Sequence, residues 1–215
     1  MNLPNKITVS RIVLIFLMII AMFVLALIPE IPVKNLGHSG INLVYFIFTI
    51  GFIIAAFTDM LDGKIARKCN LVTDLGKFLD PIADKLLNDA MMIFLLVPQV
   101  YAPLQRRDPV MLTILAICVV LMIARDLIVD ALRLVAVKKN IVIAANIFGK
   151  AKTVLQMIAI PMLLLNDWPF SYFDSSWPEA LQISTWFFYL ATLMSLVSGV
   201  IYVYQNRQVF KEFSK

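Results

Sequence analysis

Five aspartates, Asp59, Asp62, Asp74, Asp80 and Asp84, stand within a short stretch of an otherwise strongly apolar chain. Four of them fall into the pattern Asp59-x2-Asp62-Gly63-x2-Ala66-Arg67-x8-Gly76-x3-Asp80-x3-Asp84. Side chains three or four residues apart share a helix face. The spacing therefore predicts two helices, each presenting a carboxylate pair, joined by a basic loop and aimed at one cavity. Gly63, Ala66 and Gly76 keep the same faces uncrowded. An aspartate in a membrane-spanning segment costs about 2.5–3.5 kcal/mol on insertion scales, so several together demand a compensating cation. A divalent ion held through oxygen ligands supplies it.

The competing reading pairs these aspartates with Lys64, Arg67, Lys77 and Lys85. That accounts for any two of them less awkwardly than for four on two faces interleaved with small residues. Asp74 reads as a loop or capping residue, and Asp89 lies off the Asp80/Asp84 face. The donor set is all oxygen, which favours Mg²⁺ or Mn²⁺, and no His/Cys set suits zinc. Divalent ions on carboxylates serve phosphoryl chemistry by neutralising phosphate charge and stabilising a leaving oxygen. Arg67 and the flanking lysines add donors for phosphate oxygens. The parts suggest an enzyme acting on a phosphate-bearing lipid.

The elements that must position these groups are membrane helices. Of 215 residues, 61% are hydrophobic, against about 45–50% in ordinary soluble domains. Apolar runs near 10–28, 42–62, 79–97, 110–132, 148–165 and 181–204 are each close to the length that crosses about 30 Å of hydrocarbon. The first run is too long for a cleaved leader and five more follow it. The fold class expected is an all-α membrane protein, one domain over 1–215, with six transmembrane helices behind an N-terminal interfacial segment. Pro4 suits the start of a helix, with Asn5 or Thr8 as its cap.

Lys and Arg concentrate at the N-terminus, the second-to-third and fourth-to-fifth connections and the C-terminus, so both termini and the carboxylates face the cytoplasm. The net charge of +5 reads as topology and attraction to anionic lipid, not as nucleic-acid binding. Cys69 and Cys118 are not placed to pair. His38 reads as a solvated residue of an outer loop. Trp168, Trp177 and Trp186 with Tyr172 and Tyr189 read as interface anchors.

Arg125 lies inside an apolar run, and Arg133 follows two turns later on roughly the same face. A bound phosphate would compensate such arginines, and Lys150 could complete a three-cation pocket for the phosphate of a second substrate. The blander pairing sets Arg125 and Arg133 against Asp126 and Asp130.

The carboxylate pattern resembles, without a departure, the signature of the CDP-alcohol phosphatidyltransferases. That resemblance implies six transmembrane helices, a homodimer, a divalent metal centre of two ions, and transfer of a phosphatidyl group from CDP-diacylglycerol to an alcohol with release of CMP. Asp59, Asp62 and Asp80 would hold metal, and Asp84 would be both ligand and general base. Gly63, Ala66, Arg67, Thr73 and Gly76 would lie against the CDP moiety, with Asn5 and Thr8 reaching the nucleotide if the lead-in folds beneath the cavity.

The opening Asn2-Leu-Pro4-Asn5-x2-Thr8-x2-Arg11, with Ala124-Arg125-Asp126-x6-Arg133 and Phe148-Gly149-Lys150-Ala-Lys152-Thr153-x2-Gln156, is similar to the branch whose acceptor is glycerol 3-phosphate. Serine or an inositol phosphate is the alternative acceptor. A divalent-cation transporter is the alternative from another class. It is disfavoured because the outer halves of the spans carry no polar path. The setting implied is the cell membrane, with the site open to the cytoplasm.

Overall fold

The computed structural model describes residues 3–27, 41, 43–68, 74–97, 108–138, 146–174 and 176–207. Among them the regular structure is helical: α1 Leu3–Leu27, α2 Leu43–Lys68, α3 Asp74–Phe94, α4 Pro109–Lys138, α5 Ile147–Leu164, the short α6 Ser171–Asp174, a 3₁₀ turn Glu179–Leu181, and α7 Ile183–Gln205. Contacts divide the chain into two compact units, Met1–Arg107 with Ile160–Ser175, and Asp108–Ala159 with Ser176–Lys215.

In the first unit α1 packs on both α2 and α3. Its buried stripe is Asn5, Thr8, Arg11, Ile15 and Met18, the three-and-four spacing of one helix face. The facing stripe of α2 is Tyr45, Phe48, Phe52 and Ala55, and that of α3 is Ala83, Leu87, Met91 and Phe94. Phe48 and Phe94 rings stand 4.7 Å apart and Tyr45 lies 5.8 Å from Phe94, within the range of favourable aromatic pairs. The apolar side chains Phe16, Leu17, Ile20, Phe23 and Val24 of α1 are exposed together, a surface suited to lipid and not to water.

In the second unit α4 packs on α7. The face that α7 buries is Ser184, Thr185, Phe188, Ala191, Thr192, Ser195, Ser198, Gly199 and Tyr202. Small residues in this pattern let helix backbones approach closely where lipid supplies no hydrophobic drive. Thr192 satisfies its hydroxyl on the Phe188 carbonyl at 3.0 Å, as Thr49 in the first unit does on Tyr45 at 2.8 Å. Such back-bonding is how hydroxyls are tolerated in apolar helices.

The protein is therefore a helical membrane protein. Four helical stretches among the described residues are long and apolar enough to cross a bilayer: Asn5–Leu25, Pro109–Ala136, Ile147–Leu164 and Ile183–Gln205. The expected spans at 42–62 and 79–97 correspond to α2 and α3, which differ from the other four. The apolar part of α2 ends at Asp59, and α3 carries Asp74, Lys77, Asp80, Asp84, Lys85 and Asp89 along its length. The expected N-terminal segment is not a separate element. Nothing after Pro4 interrupts the helix, so the lead-in forms the first turns of α1. With the helix beginning at Leu3, Thr8 lies beyond its first turn and does not act as the cap. Trp168, Tyr172, Trp177 and Trp186 are all exposed, as interfacial anchors would be, and Trp186 meets Tyr189 edge-on at 6.1 Å.

Candidate active site

The stripe of α2 that buries Phe52 and Ala55 continues one turn later to Asp59. The stripe of α3 begins at Asp80, one turn before Ala83 and Asp84. Two packed helices thus bring a carboxylate each to the same end of the first unit. Between them lies the guanidinium of Arg11 from α1, whose side chain is 1% exposed. Its Nη1 is hydrogen-bonded to Asp59 Oδ1, and its Nη2 stands 3.7 Å from Asp80 Oδ1. Thr8, one turn earlier on α1, donates to that same Asp80 oxygen at 3.0 Å. The carboxylates themselves are 36% and 42% exposed, so the site is open on the side away from Arg11.

Asp84 follows Asp80 by one turn on α3. Asn88, one turn further and buried, donates from Nδ2 to the Asp84 carbonyl at 3.0 Å and to Asp84 Oδ1 at 3.2 Å. The carboxylate is thereby held against its own helix. Pro81 lies inside α3 and so cannot donate to the backbone carbonyl four residues earlier, in the turn that leads into Asp80.

Asp62, Gly63, Ala66 and Arg67 ride on the helical backbone of α2, but their side-chain surroundings lie outside the described part, as do those of Lys64, Asp74 and Lys77. Thr73, Cys69 and His38 lie outside the described residues altogether. Gly76 is half-buried in the first turn of α3, and Asn5 is buried on the α1 stripe. Among the described residues no three His, Cys, Asp or Glu side chains form a metal cluster.

The donor set nevertheless fits a divalent ion. Oxygens from Asp59 and Asp80 already converge on one positive centre, the guanidinium, and both keep a solvent-facing side. Oxygen-only, anionic ligands with room for water are what Mg²⁺ and Mn²⁺ take.

In the second unit, Asp126 is the hub. Its Oδ1 accepts from Arg125 Nη1 at 2.8 Å and its Oδ2 accepts from the ammonium of buried Lys152 on α5. Arg125 Nη2 also donates to the Ser198 hydroxyl of α7. Room for this side chain comes from two glycines. A Cβ on Gly199 would lie 2.8 Å from Arg125 Cγ, and one on Gly149 would lie 3.2 Å from Ser198 Oγ. Arg133 is exposed, donates from Nε to the Tyr202 hydroxyl at 2.9 Å and stacks 5.6 Å from that ring's centre. Lys150 is exposed on α5. The pairing of Arg125 with Asp126 weighed from sequence is present. The engagement of Arg133 is with Tyr202.

Sequence reasoning gave no site role to Arg11, Asn88, Lys152 or Ser198, although Arg11 and Lys152 stand in the branch motifs. Arg11 carried the signal: an arginine between Val9-Ser10 and a long apolar run raises the question that was asked of Arg125.

The family profile described as CDP-alcohol phosphatidyltransferase matches residues 1–198, running through both units. Over 211 residues the chain is 41% identical to a Bacillus subtilis protein named CDP-diacylglycerol--glycerol-3-phosphate 3-phosphatidyltransferase, covering 98% of this chain and 97% of that one. A Mycoplasma pneumoniae protein of the same name is 34% identical over 219 residues, 98% of this chain and 89% of its own. A rice protein named cardiolipin synthase (CMP-forming) is 35% identical over 170 residues, 77% of this chain and 46% of its own. The chain belongs to the CDP-alcohol phosphatidyltransferase family.

Proposed function

We propose that this membrane enzyme transfers the phosphatidyl group of CDP-diacylglycerol to glycerol 3-phosphate, giving phosphatidylglycerophosphate and CMP. One observation carries the chemistry: Asp59 and Asp80, from two different helices, converge on a single cation in a chain of this family. Likeness to relatives named for glycerol 3-phosphate, at up to 41% identity over nearly the whole chain, favours that acceptor.

On this reading Asp59, Asp62, Asp80 and Asp84 hold Mg²⁺ or Mn²⁺, two ions in all. When bound, the ions neutralise diphosphate charge and stabilise the departing CMP oxygen. Asp84 takes the proton of the acceptor hydroxyl, since an alcohol is a poor nucleophile near neutral pH. The freed oxygen attacks the phosphorus that carries diacylglycerol, a new P–O bond forms, and the bond to CMP breaks with its electron pair leaving on CMP. Asn88 holds one oxygen of Asp84 and so fixes the carboxylate's orientation on α3. Gly63, Ala66, Arg67, Thr73 and Gly76, with Asn5 and Thr8, bind the CDP moiety. Arg125, Arg133 and Lys150 bind the acceptor's phosphate, with Asp126, itself held by Lys152, fixing Arg125. The same reading makes 1–215 one catalytic domain of six spans, both termini and the site on the cytoplasmic face of the cell membrane, working as a homodimer.

The test is CMP release from CDP-diacylglycerol by the purified protein in detergent with Mg²⁺ or Mn²⁺, one acceptor at a time: glycerol 3-phosphate, phosphatidylglycerol, serine or an inositol phosphate. Turnover with glycerol 3-phosphate is expected. Turnover with only another acceptor overturns the substrate assignment. Divalent-cation flux into proteoliposomes without CMP formation would favour a transporter.

A further inference from the structure

Arg11 is the described cation on which two helices' carboxylates converge. Its stripe on α1 is otherwise occupied by Ile15 and Met18 towards the membrane interior, and a buried arginine on such a helix persists only when its charge is compensated. The compensation comes from Asp59 on α2, with Asp80 on α3 at 3.7 Å. Thr8 reinforces the arrangement by donating to Asp80 Oδ1 at 3.0 Å. Three helices are thereby tied at one point, with Oδ1 of Asp59 and Oδ1 of Asp80 both turned to the guanidinium.

We propose that Arg11 is a resident counter-ion of the carboxylate centre, which positions Asp59 and Asp80 and competes with divalent metal for their oxygens, so setting the site's metal affinity. This rests on the reading of Asp59 and Asp80 as metal ligands. A guanidinium is a permanent cation with donors in a fixed planar fork. It satisfies two converging carboxylates and keeps them from repelling one another. A divalent ion entering the same place must share those oxygens with it or displace it, and it is repelled by the guanidinium charge. Removing that charge while leaving the carboxylates in place strengthens metal binding. A merely structural strut predicts the opposite, because loosened ligands bind a metal more weakly.

The experiment is a Mn²⁺ titration of the full-length protein in detergent, with free Mn²⁺ read by electron paramagnetic resonance. Arg11→Gln removes the charge and keeps a side-chain amide. It is expected to lower the Kd for Mn²⁺ about tenfold, and to lower the Tm in EDTA while enlarging the rise in Tm that Mn²⁺ produces. An unchanged or higher Kd overturns the proposal. Should Arg11→Gln not fold, Arg11→Met serves, since it removes the charge and keeps a long side chain able to fill the buried stripe. Its Kd is expected to fall several-fold, and no change overturns the proposal equally.

Asp59→Asn and Asp80→Asn separate the two levels of inference. Saturable Mn²⁺ binding that these variants abolish, but that Arg11→Gln leaves untouched, overturns the role of Arg11 alone. Absence of saturable binding in the wild type, or binding indifferent to both aspartates, overturns the metal reading and the Arg11 proposal together.

Discussion

Thr8 of α1 and Asp80 of α3, far apart in sequence, are joined by a 3.0 Å hydrogen bond from hydroxyl to carboxylate. It fixes the same Asp80 oxygen that faces Arg11, in a side chain that stays 42% exposed. A hydrogen bond to a charged group contributes about 1.5–3 kcal/mol. Thr8→Val keeps the shape and removes the donor, so turnover at subsaturating Mg²⁺ should fall about tenfold, with most of the loss recovered at high Mg²⁺. Thr8→Ser should restore it. Mg²⁺ activation curves of the three proteins check this, and identical curves would remove Thr8 from the site.

Asn88 holds Asp84 through two contacts from one amide nitrogen. Asn88→Ala should lower kcat about tenfold, the effect of losing roughly one hydrogen bond's worth of positioning. KM for CDP-diacylglycerol should stay close to the wild-type value. A rise in KM with kcat unchanged would place Asn88 in liponucleotide binding instead.

Gly199 is a position where one methyl group matters. Its Cβ would meet Arg125 Cγ at 2.8 Å, close to the backbone of α4 where little can yield. Gly199→Ala should destabilise the protein by about 1–3 kcal/mol, as overpacking does, and should weaken use of glycerol 3-phosphate. At Gly51 the neighbour is only the thioether end of Met18, at 3.1 and 3.2 Å, so Gly51→Ala is the control and should cost much less. Thermal unfolding in one detergent compares them.

Arg133 is exposed and braced by Tyr202, a geometry that leaves its guanidinium edge available to an anion. Arg133→Ala should raise KM for glycerol 3-phosphate far more than KM for the liponucleotide. Equal effects on both would argue against a dedicated site for the acceptor's phosphate.

Much of this was legible in the sequence, for identifiable reasons. Residues three and four apart share a face in any helix, so spacing alone sets Asp80 and Asp84 on one face of α3 and Asp59 on the face of α2 that continues from Ala55. The apolar runs marked α1, α4, α5 and α7 by length alone. Where the reading fell short, a tertiary partner decided the matter. Arg11 was counted as a topology charge because periodicity does not reveal that α1 packs against both α2 and α3. Asn88 was passed over, and Lys152 was named only within a branch motif and given no role, because an amide one turn from a carboxylate, or a lysine in a basic stretch, is ordinary until its partner is known. The separate interfacial lead-in was inferred from Pro4 and polar residues, but proline in a first turn is compatible with a helix that simply continues.

On the proposed reading, carboxylates of α2 and α3 drive phosphatidyl transfer through bound divalent ions. CMP and phosphatidylglycerophosphate measured together, from CDP-diacylglycerol and labelled glycerol 3-phosphate, for wild type, Asp80→Asn and Asp84→Asn with and without EDTA, decide it. Equimolar products are expected from the wild type, none in EDTA, and none from either variant, with CDP-diacylglycerol binding still measurable in Asp84→Asn. Product formation at the wild-type rate in EDTA, or by Asp84→Asn, would contradict it.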